Sequence, residues 1–364
     1  MRLALVHDWL NQIGGAEDVL KTLVGMFPQA PIYTSMYWQD GMPDSYRSWP
    51  IHTTWMNHLP GVYRHHQAYL PLYPAAFGHL DLSDYEVILS NKSGFCHGLR
   101  KGHATHICYC LAPTRYVWEF DAYAAREALS PAIKTALRPL VRILQRWDYA
   151  AAQRVDTFIA ISGDIQRRIR KYYERDSVVI YPPVDTARFQ PGAAYDNYYL
   201  IVSRLVPYRR INLAIEAFNT LRLPLVIAGD GRDRAKLESL AGPNITFLDR
   251  VPDEDLPGLY TNCQAYILPG LEDFGIAPVQ AQAAGRPVIA FAGGGALDTV
   301  IEGETGTFFH KPEAQSLAAA VTAFDAGAID PGKCRSNAER FGTSVFKQRI
   351  RRIVEDAWKS RNRD

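Results

Sequence analysis

Basic side chains follow a short apolar segment in the second half of the chain. Residues 199–202 are apolar, as in a buried strand, and Arg204, Arg209 and Arg210 come soon after them. Arginine presents planar pairs of N–H donors that match the oxygens of a diphosphate. A solvated basic loop is the ordinary alternative for this segment taken by itself. An anion site is therefore indicated at the end of this strand only if neighbouring segments agree with it.

A second apolar segment, residues 265–268, leads into an acidic turn that contains a glycine. Glu272 lies in that turn, and a helix is predicted from Ile276 onwards. Backbone N–H groups at the start of a helix attract anions, and a glycine lets the backbone approach a ligand closely. The amides concerned are those of Phe274, Gly275 and Ile276. Capping of the helix by its acidic residues is the alternative explanation of the turn.

Glycines follow two further predicted strands. Gly229 and Gly231 come after residues 224–228, and Gly294 is the middle residue of three glycines after residues 287–290. Consecutive glycines permit a backbone nest for phosphate or sugar hydroxyls, although a plain flexible loop has the same composition. Because parallel strands end at one edge of a sheet, the arginines, the helix start and the glycines all fall there. Their agreement favours a single binding site at that edge.

Strand-like apolar segments alternate with helical patterns along the whole chain. Such alternation is typical of α/β proteins with doubly wound parallel sheets. A proline-containing stretch without periodicity interrupts it near the middle. We predict two Rossmann-like domains that face a central cleft, where a ligand would bind. The predicted parts are an N-terminal domain at 1–183, a linker at 184–198, a C-terminal domain at 199–343 and a final helix at 344–364.

Composition is that of an ordinary globular protein. Of 364 residues, 40 are Lys or Arg and 38 are Asp or Glu, so there is no basic excess for a nucleic-acid partner. The five cysteines form no C-x-x-C pair, which indicates a reducing, cytoplasmic compartment. His7 and Asp8 interrupt the apolar N-terminus, and no eighteen apolar residues run together. We therefore expect neither a signal peptide nor a membrane span.

Seven segments spread over nearly the whole chain carry a resemblance to a known family. They are His7 to Glu17, Cys108 to Tyr116, Ile180 to Asp185, Ser203 to Arg210, Gly229 to Gly231, Glu272 to Ile276 and Gly303 to Gly306. With these segments the sequence resembles the group-1 (family 4) retaining glycosyltransferases, which have the GT-B architecture. The segments Tyr-Pro-Pro-Val-Asp and Glu-Asp-Phe-Gly-Ile are similar to those of bacterial mannosyltransferases that build surface polysaccharide.

The resemblance implies a hexosyltransferase that uses a nucleotide sugar, GDP-mannose in the mannosyltransferase branch, and a glycan or lipid-linked glycan acceptor. Arg204, Arg209 and Glu272 would be catalytic, the arginines on the diphosphate and Glu272 on the donor sugar. Gln280 would hold the ribose hydroxyls. The donor-binding set implied is Gly14, Gly15, Gly229, Gly231, Phe274, Gly275, Ile276, Gln280 and Gly294.

The resemblance also implies roles for parts of the N-terminal half. Gly14 and Gly15 would approach the donor phosphate from that half, and the final helix would cross back onto it. We place the acceptor side at His97, Arg115 and Tyr116 as a separate hypothesis, although a hydrogen-bonded structural role is the preferred interpretation of His97.

Three positions depart from the family pattern. Arg209 stands where the family usually has lysine, so a point charge becomes a planar fork. Gln280 stands where it usually has glutamate, so a neutral amide replaces a carboxylate and weaker nucleotide binding is expected. Leu111 stands where the mannosyltransferase branch has histidine, and leucine cannot hydrogen-bond the donor sugar.

The mechanism implied is a front-side attack in which arginines and helix amides stabilise the leaving diphosphate, without a metal ion or other cofactor. A double displacement through Glu272 is the alternative mechanism. Residues 253–255 resemble a metal-binding Asp-x-Asp, but they precede a predicted helix, so capping is the preferred interpretation. The alternative functions are a UDP-sugar-dependent transferase and a non-catalytic sugar-nucleotide-binding subunit.

One predicted helix of the N-terminal half has a basic stripe beside an apolar one. Its basic members are Lys134, Arg138, Arg142 and Arg146. The same half mixes aromatic and basic residues at 55–73. Ordinary packing with a solvated face explains both features. The functional alternative is peripheral docking to an anionic surface at the inner face of the plasma membrane, where a polyprenyl-diphosphate-linked acceptor would wait.

Overall fold

The computed structural model describes residues 1–126, 129–192 and 194–361. The chain divides into two units, each with one parallel β-sheet. Unit 1 comprises residues 1–183 and the C-terminal segment from Phe346 onwards, and unit 2 comprises residues 184–345. Because crossover connections between parallel strands are helical, each sheet alternates with helices along the chain.

Unit 1 contains a seven-stranded parallel sheet in the order β3-β2-β1-β4-β5-β6-β7. Its strands are β1 Leu3–His7, β2 Ile32–Thr34, β3 Ile51–Thr53, β4 Val87–Lys92, β5 Thr105–Cys110, β6 Thr157–Ala160 and β7 Ser177–Val179. The strand order reverses between β1 and β4, whose residues are all buried. Open α/β sheets bind ligands outside the carboxyl ends of strands at such a reversal.

The helices of unit 1 vary from single turns to more than six turns. They are α1 Gly15–Met26, α2 Val62–His65, α3 Tyr73–Gly78, α4 Arg115–Trp118, α5 Phe120–Arg126, α6 Pro131–Gln153 and α7 Gly163–Tyr173. Helix α6 starts with the side chain of Ser130 accepting a hydrogen bond from the amide of Ile133, and a proline at its first position suits this start.

Unit 2 contains a six-stranded parallel sheet in the order β10-β9-β8-β11-β12-β13. Its strands are β8 Tyr199–Val202, β9 Leu225–Ala228, β10 Ile245–Leu248, β11 Ala265–Leu268, β12 Val288–Phe291 and β13 Gly306–Phe309. Its helices are α8 Ile211–Leu221, α9 Arg234–Leu240, α10 Leu256–Asn262, α11 Ile276–Ala283, α12 Ala296–Thr299, α13 Ala314–Ala323 and α14 Pro331–Glu339. The strand order reverses between β8 and β11.

The last helix, α15, spans Thr343–Arg361. Its part from Phe346 onwards packs within unit 1. The ring of Phe346 meets that of Tyr109 on β5 edge-on, with centroids 5.6 Å apart. The indole N–H of Trp358 donates to Glu86 at 3.3 Å. This part of α15 is therefore held to unit 1 by aromatic packing near one end and by a polar contact near the other.

The segment predicted as a linker, 184–198, is packed into unit 2 where the structure describes it. Val184 forms a bridge with Gly342, and the guanidinium of Arg335 donates to the carbonyl of Thr186 at 2.8 Å. Phe189 is fully buried. The prolines and the missing periodicity therefore indicate irregular backbone in this segment. The segment is not a flexible connection, because side-chain packing and backbone hydrogen bonds hold it on unit 2.

Apolar side chains fill both units, and all five cysteines are buried. Burial raises the pKa of the Cys110 thiol to about 11 and those of Cys263 and Cys334 to about 12. Among the helices that the structure describes, none combines the length and the apolar character needed to cross a bilayer.

A buried histidine gives unit 1 a predicted pH dependence. His106 on β5 is 1% exposed, and burial lowers its pKa to about 3. The unfolded chain takes up a proton below about pH 6.5 and the folded chain does not, so stability falls as the pH drops below that value. At pH 5 this histidine costs about 2 kcal/mol, or about 4–8 °C in Tm.

Substituting His106→Gln should therefore reduce the loss of Tm between pH 7 and pH 5, measured by differential scanning calorimetry. His103→Gln, a change at an exposed histidine, is the matched control and should keep the wild-type loss. Equal losses in the two variants would contradict the assignment.

Candidate functional site

Two loops meet at the carboxyl edge of the unit 2 sheet. The loop after β8 carries Arg204 and Arg209, and the loop after β11 carries Glu272. These strands are neighbours, on either side of the reversal in strand order. The Nη1 atom of Arg209 forms an ion pair with Oε1 of Glu272. Two of the three residues predicted to be catalytic are therefore in contact.

Both partners of this ion pair are largely withdrawn from water. The side chain of Arg209 is 17% exposed and that of Glu272 is 20% exposed. Burial lowers the pKa of Arg209, but a guanidinium keeps its charge at every working pH. With Tyr266 they line a cavity of about 10 Å³, which has room for one water molecule at most. A donor would therefore have to meet these two side chains from outside the cavity, because there is no room for it between them.

Tyr208 links the two arginines. Its hydroxyl accepts a hydrogen bond from Nη2 of Arg204 at 3.1 Å, and its ring centroid lies 5.2 Å from the guanidinium carbon of Arg209. A cation above an aromatic face is stabilised by the ring quadrupole. Arg210, the next cation in the sequence, instead donates to the carbonyl of Pro312 at 3.2 Å. Tyr208 is not among the residues predicted from the sequence, although an aromatic residue between two arginines is a signal for such stacking.

Glycines let the loops approach each other closely. A Cβ atom at Gly270 would lie 2.6 Å from the carbonyl oxygen of Arg209, and one at Gly294 would overlap the carbonyl oxygen of Glu272. Gly294 also has a φ of +59°, which favours glycine. The amide of Gly295 donates to the carbonyl of Glu272 at 2.8 Å. These glycines therefore let the Glu272 loop pack closely against the loop after β8 on one side and the loop after β12 on the other.

Gly229 and Gly231 have a similar packing role beside β8. A Cβ atom at Gly229 would overlap the carbonyl oxygen of Ser203, and one at Gly231 would overlap that of Leu205. The amide of Leu205 donates to the carbonyl of Asp230 at 2.9 Å. Packing between backbones accounts for these glycines, and their contact with a donor stays a prediction.

Helix α11 begins directly after the Glu272 loop. Its N-cap residue is Gly275, with a φ of +91°, so neither acidic residue of the turn caps it. Phe274 is buried, whereas Ile276 and Gln280 are partly exposed. The Oε1 atom of Gln280 accepts a hydrogen bond from the hydroxyl of Tyr260 at 3.0 Å. The residues predicted to meet the donor thus lie at the start and along one face of this helix.

In unit 1, Gly14 and Gly15 lie where α1 begins, after the loop that follows β1. A Cβ atom at Gly14 would lie 3.3 Å from Oε2 of Glu17. Glu17 is 2% exposed, and its Oε1 lies 3.4 Å from Nε2 of His7. The Nδ2 atom of Asn91 lies 3.3 Å from the other ring nitrogen of His7. Gly14 therefore makes room for a buried carboxylate, and its contact with donor phosphate stays a prediction.

His97 is a buried structural histidine in this structure. Its side chain is fully buried, and its Nε2 lies 3.3 Å from the carbonyl oxygen of Asp148. Burial lowers its pKa well below the usual value, so the ring stays neutral. Arg115 and Tyr116 are partly exposed on α4, and the ring of Tyr116 meets that of Tyr123 edge-on at 5.0 Å. An acceptor would thus reach Arg115 and Tyr116 before His97.

The acidic stretch 253–255 lies before α10. Asp255 is the N-cap residue of that helix, but its side chain makes no capping hydrogen bond. Asp253 pairs with Arg188 at 4.0 Å. In the part of the chain that the structure describes, no three His, Cys, Asp or Glu side chains gather to hold a metal ion. Independence of the reaction from metal ions stays a prediction.

Two family models match this chain, and each match corresponds to most of one unit. A family model described as "Glycosyltransferase Family 4" matches residues 13–188, and one described as "Glycosyl transferases group 1" matches residues 184–341. The chain belongs to the group-1 (family 4) glycosyltransferases. The segments that carried the resemblance in the sequence, from Gly14 to Gly306, lie almost entirely within these two matches.

Two curated relatives of this glycosyltransferase are mannosyltransferases. The α-1,3/1,6-mannosyltransferase ALG2 of Dictyostelium discoideum is 25% identical over a match that covers 61% of this chain and 66% of ALG2. The GDP-mannose-dependent α-(1-6)-phosphatidylinositol monomannoside mannosyltransferase of Mycolicibacterium smegmatis is 29% identical over a match that covers 38% of this chain and 44% of that enzyme. The matches thus span less than two thirds of either relative.

Solved structures match this glycosyltransferase over almost its whole length. The Anabaena protein HepE in complex with UDP has a TM-score of 0.71 at 18% identity, covering 98% of this chain and all of HepE. Sucrose-phosphate synthase from Thermosynechococcus elongatus has a TM-score of 0.76 at 16% identity, covering 99% of this chain and all of the synthase. The glycosyltransferase has the GT-B fold, with two Rossmann-like units.

Removing Glu272 should destabilise the ligand-free protein. Glu272→Ala leaves the mostly buried guanidinium of Arg209 without its carboxylate, which should cost about 1–2 kcal/mol because the pair keeps some exposure. The double variant Arg209→Met/Glu272→Ala removes the stranded charge and should recover part of this loss. Thermal unfolding of the three proteins measures both effects, and an unchanged Tm in Glu272→Ala would contradict the ion pair.

Proposed function

We propose that this glycosyltransferase transfers a hexose from a nucleotide diphosphate sugar to a glycan or lipid-linked glycan, with retention of anomeric configuration. The observation that carries the proposal is the assembly of Arg204, Tyr208, Arg209 and Glu272 at the strand reversal of unit 2. At this sheet edge the two cations suit the diphosphate of a nucleotide sugar, and the carboxylate suits the hydroxyls of its sugar.

The proposed reaction breaks the bond between the anomeric carbon of the donor and the β-phosphate oxygen. Negative charge grows on that phosphate as the bond breaks, and Arg204 and Arg209 stabilise it in place of a metal ion. The acceptor hydroxyl attacks the anomeric carbon from the face that the phosphate leaves. Its proton passes to the departing phosphate, so the step needs no protein nucleophile and no cofactor.

Glu272 has a separate task in this proposal. The ion pair with Arg209 gives its carboxylate a fixed place beside the cation that would meet the diphosphate. One carboxylate oxygen then accepts hydrogen bonds from donor-sugar hydroxyls, which orients the anomeric carbon. A double displacement would need this carboxylate as a nucleophile, and its engagement with Arg209 favours the orienting role instead.

GDP-mannose is the donor that we propose. The support is the similarity to two mannosyltransferases, of which the mycobacterial one is described as GDP-mannose-dependent. A UDP-sugar is the alternative donor, since the structurally similar HepE was solved with UDP.

The arginines provide a matched test of the proposal. Arg204→Gln should lower kcat/KM for sugar transfer by about 100-fold, because it removes a cation that stabilises the leaving diphosphate. Arg210→Gln changes a neighbouring arginine that contacts the carbonyl of Pro312, and its activity should stay within about threefold of wild type. Transfer from GDP-mannose and from UDP-glucose is measured in EDTA with a panel of lipid-linked glycans, and the anomer formed is read by NMR.

Other outcomes separate the alternatives. Thermal stabilisation of the wild type by nucleotide sugar without turnover would favour a non-catalytic binding subunit. Trapping of a sugar on Glu272 would favour double displacement. Activity that is lost in EDTA and restored by Mn²⁺, or equal activity in the two glutamine variants, would overturn the proposed mechanism.

The acceptor is proposed to be presented at an anionic membrane surface on the cytoplasmic side. Helix α6 supports this with an outer face that carries exposed Arg142 and Arg146 together with Ile143, which is 62% exposed. Lys134 and Arg138 on the same helix pair with Asp121 at 2.7 and 3.7 Å. Basic and apolar groups side by side suit the headgroup region of a bilayer.

Flotation with liposomes tests this surface. The wild type should float with vesicles that contain 30% phosphatidylglycerol at low salt and not with pure phosphatidylcholine, since attraction to anionic lipid is screened by salt. Arg142→Glu/Arg146→Glu should reduce flotation at least fivefold, whereas Arg349→Glu/Arg351→Glu, on an exposed part of α15, should not. Equal flotation of the two double variants would contradict the role of α6.

A further inference from the structure

Gln280 lies on the partly exposed face of α11. Of the eight residues of this helix, only Ile276, Ala277 and Gln280 are partly exposed, and the other five are buried. Ile276 and Gln280 are one helical turn apart, so they share a face. The side chain of Gln280 thus leaves the helix on the side that begins beside the Glu272 loop.

Tyr260 holds one end of the Gln280 amide. Tyr260 on α10 is fully buried, and its hydroxyl lies 3.0 Å from Oε1 of Gln280. Its ring is stacked with Tyr266 at 5.9 Å and meets Phe189 edge-on at 5.4 Å, which fixes where the hydroxyl sits. Burial raises the pKa of Tyr260 well above its usual value. The phenol therefore keeps its proton, and the amide oxygen is the group that accepts it.

A neighbouring glutamine shows what a fully used amide looks like on the same helix. The Nε2 atom of the buried Gln282 donates to the carbonyls of Pro278 and Thr299 at 3.3 and 2.8 Å, and Asn337 donates to its Oε1. The Oε1 atom of Gln280 accepts from Tyr260. Within residues 1–126, 129–192 and 194–361, no partner meets its Nε2. The Gln282 amide thus forms its hydrogen bonds inside unit 2, whereas the Gln280 amide has two N–H groups that can donate to a ligand.

We propose that Tyr260 is a positioning residue that fixes the Gln280 amide with Nε2 facing the nucleotide, so that the site recognises the ribose by donating to its hydroxyl oxygens. This inference rests on the proposed function, because that function brings a nucleotide to Gln280. An amide has one donor end and one acceptor end, so its orientation decides which group the ribose meets. A buried phenol that donates to the oxygen selects the donor end.

A carboxylate at the same position would need no such selection. Its two oxygens are equivalent, so either can take the phenol proton while the other accepts from the ribose. Tyr260 should therefore matter for an amide at position 280 and matter little for a carboxylate there. A purely structural role of Tyr260 makes no such distinction, because it would act on the helix whatever side chain position 280 carries.

Nucleotide titrations in two backgrounds test the inference. GDP and UDP are titrated by calorimetry into the wild type, Tyr260→Phe, Gln280→Glu and Tyr260→Phe/Gln280→Glu, and the tighter nucleotide is used. Tyr260→Phe should weaken binding about fivefold in the glutamine background, as expected for the loss of one oriented hydrogen bond. In the Gln280→Glu background the same change should weaken binding less than twofold.

A second arm tests contact with the ribose itself. The wild type should bind the matching 2′,3′-dideoxynucleoside diphosphate about fivefold more weakly than the ribonucleotide, and Gln280→Ala should bind both alike within about twofold. Tyr198→Phe removes another phenol of unit 2, which donates to the carbonyl of Leu259, and it should leave nucleotide binding unchanged. All variants are first shown to melt within a few degrees of the wild type.

The outcomes separate this inference from the proposed function. Equal weakening by Tyr260→Phe in the two backgrounds, or an unchanged affinity in the glutamine background, would overturn the positioning role while nucleotide binding stands. A wild type that binds neither GDP nor UDP would overturn the proposed function and the inference together. A wild type that binds ribonucleotide and dideoxynucleotide equally would overturn the inference, because it recognises the nucleotide without contacting the ribose hydroxyls, while the proposed function stands.

Discussion

The contact between Arg209 and Glu272 is the interaction on which the candidate site depends. It joins the loops that follow β8 and β11, the two strands at which the order of the unit 2 sheet reverses. A charged pair with so little exposure persists because its surroundings keep it in place. Gly270 and Gly294 let the neighbouring backbones come close enough, and Tyr208 supports the guanidinium from one side. The charges are thereby set before a ligand arrives, which is the condition for electrostatic stabilisation of a leaving group.

Unit 1 has a buried polar cluster that fixes the loop before Arg115 against helix α6. Lys92, at the end of β4, is fully buried and donates to the carbonyl of Ala112 and to Oγ1 of Thr114 at 3.2 and 3.0 Å. The same Oγ1 lies 2.8 Å from Oδ1 of Asp148 on α6. These hydrogen bonds connect the loop before Arg115 to α6, the helix that carries the exposed Arg142 and Arg146. Because unpaired buried charges are costly, the loop has little freedom to move away from the helix.

The two sheets, and the sheet edge that carries the candidate site, could be predicted from the sequence. The contacts between side chains inside the site could not. Uninterrupted apolar segments such as residues 199–202 predicted the central strands, since strands buried on both faces are apolar throughout. The three-residue strands β2 and β3 were missed because they are too short to show a pattern. The pairing of Arg209 with Glu272 and that of Tyr260 with Gln280 join residues that lie far apart in sequence or on different helices. Such pairings depend on tertiary packing, which periodicity does not contain.

The burial of every cysteine has a practical consequence for studying this glycosyltransferase. Buried thiols with raised pKa values hold few thiolates at neutral pH, and maleimides and other electrophiles react with the thiolate. A single cysteine engineered on an exposed helix would be labelled far faster than the native five, so no cysteine-free background is required. A fluorophore attached in this way near the candidate site would turn ligand binding into an optical signal.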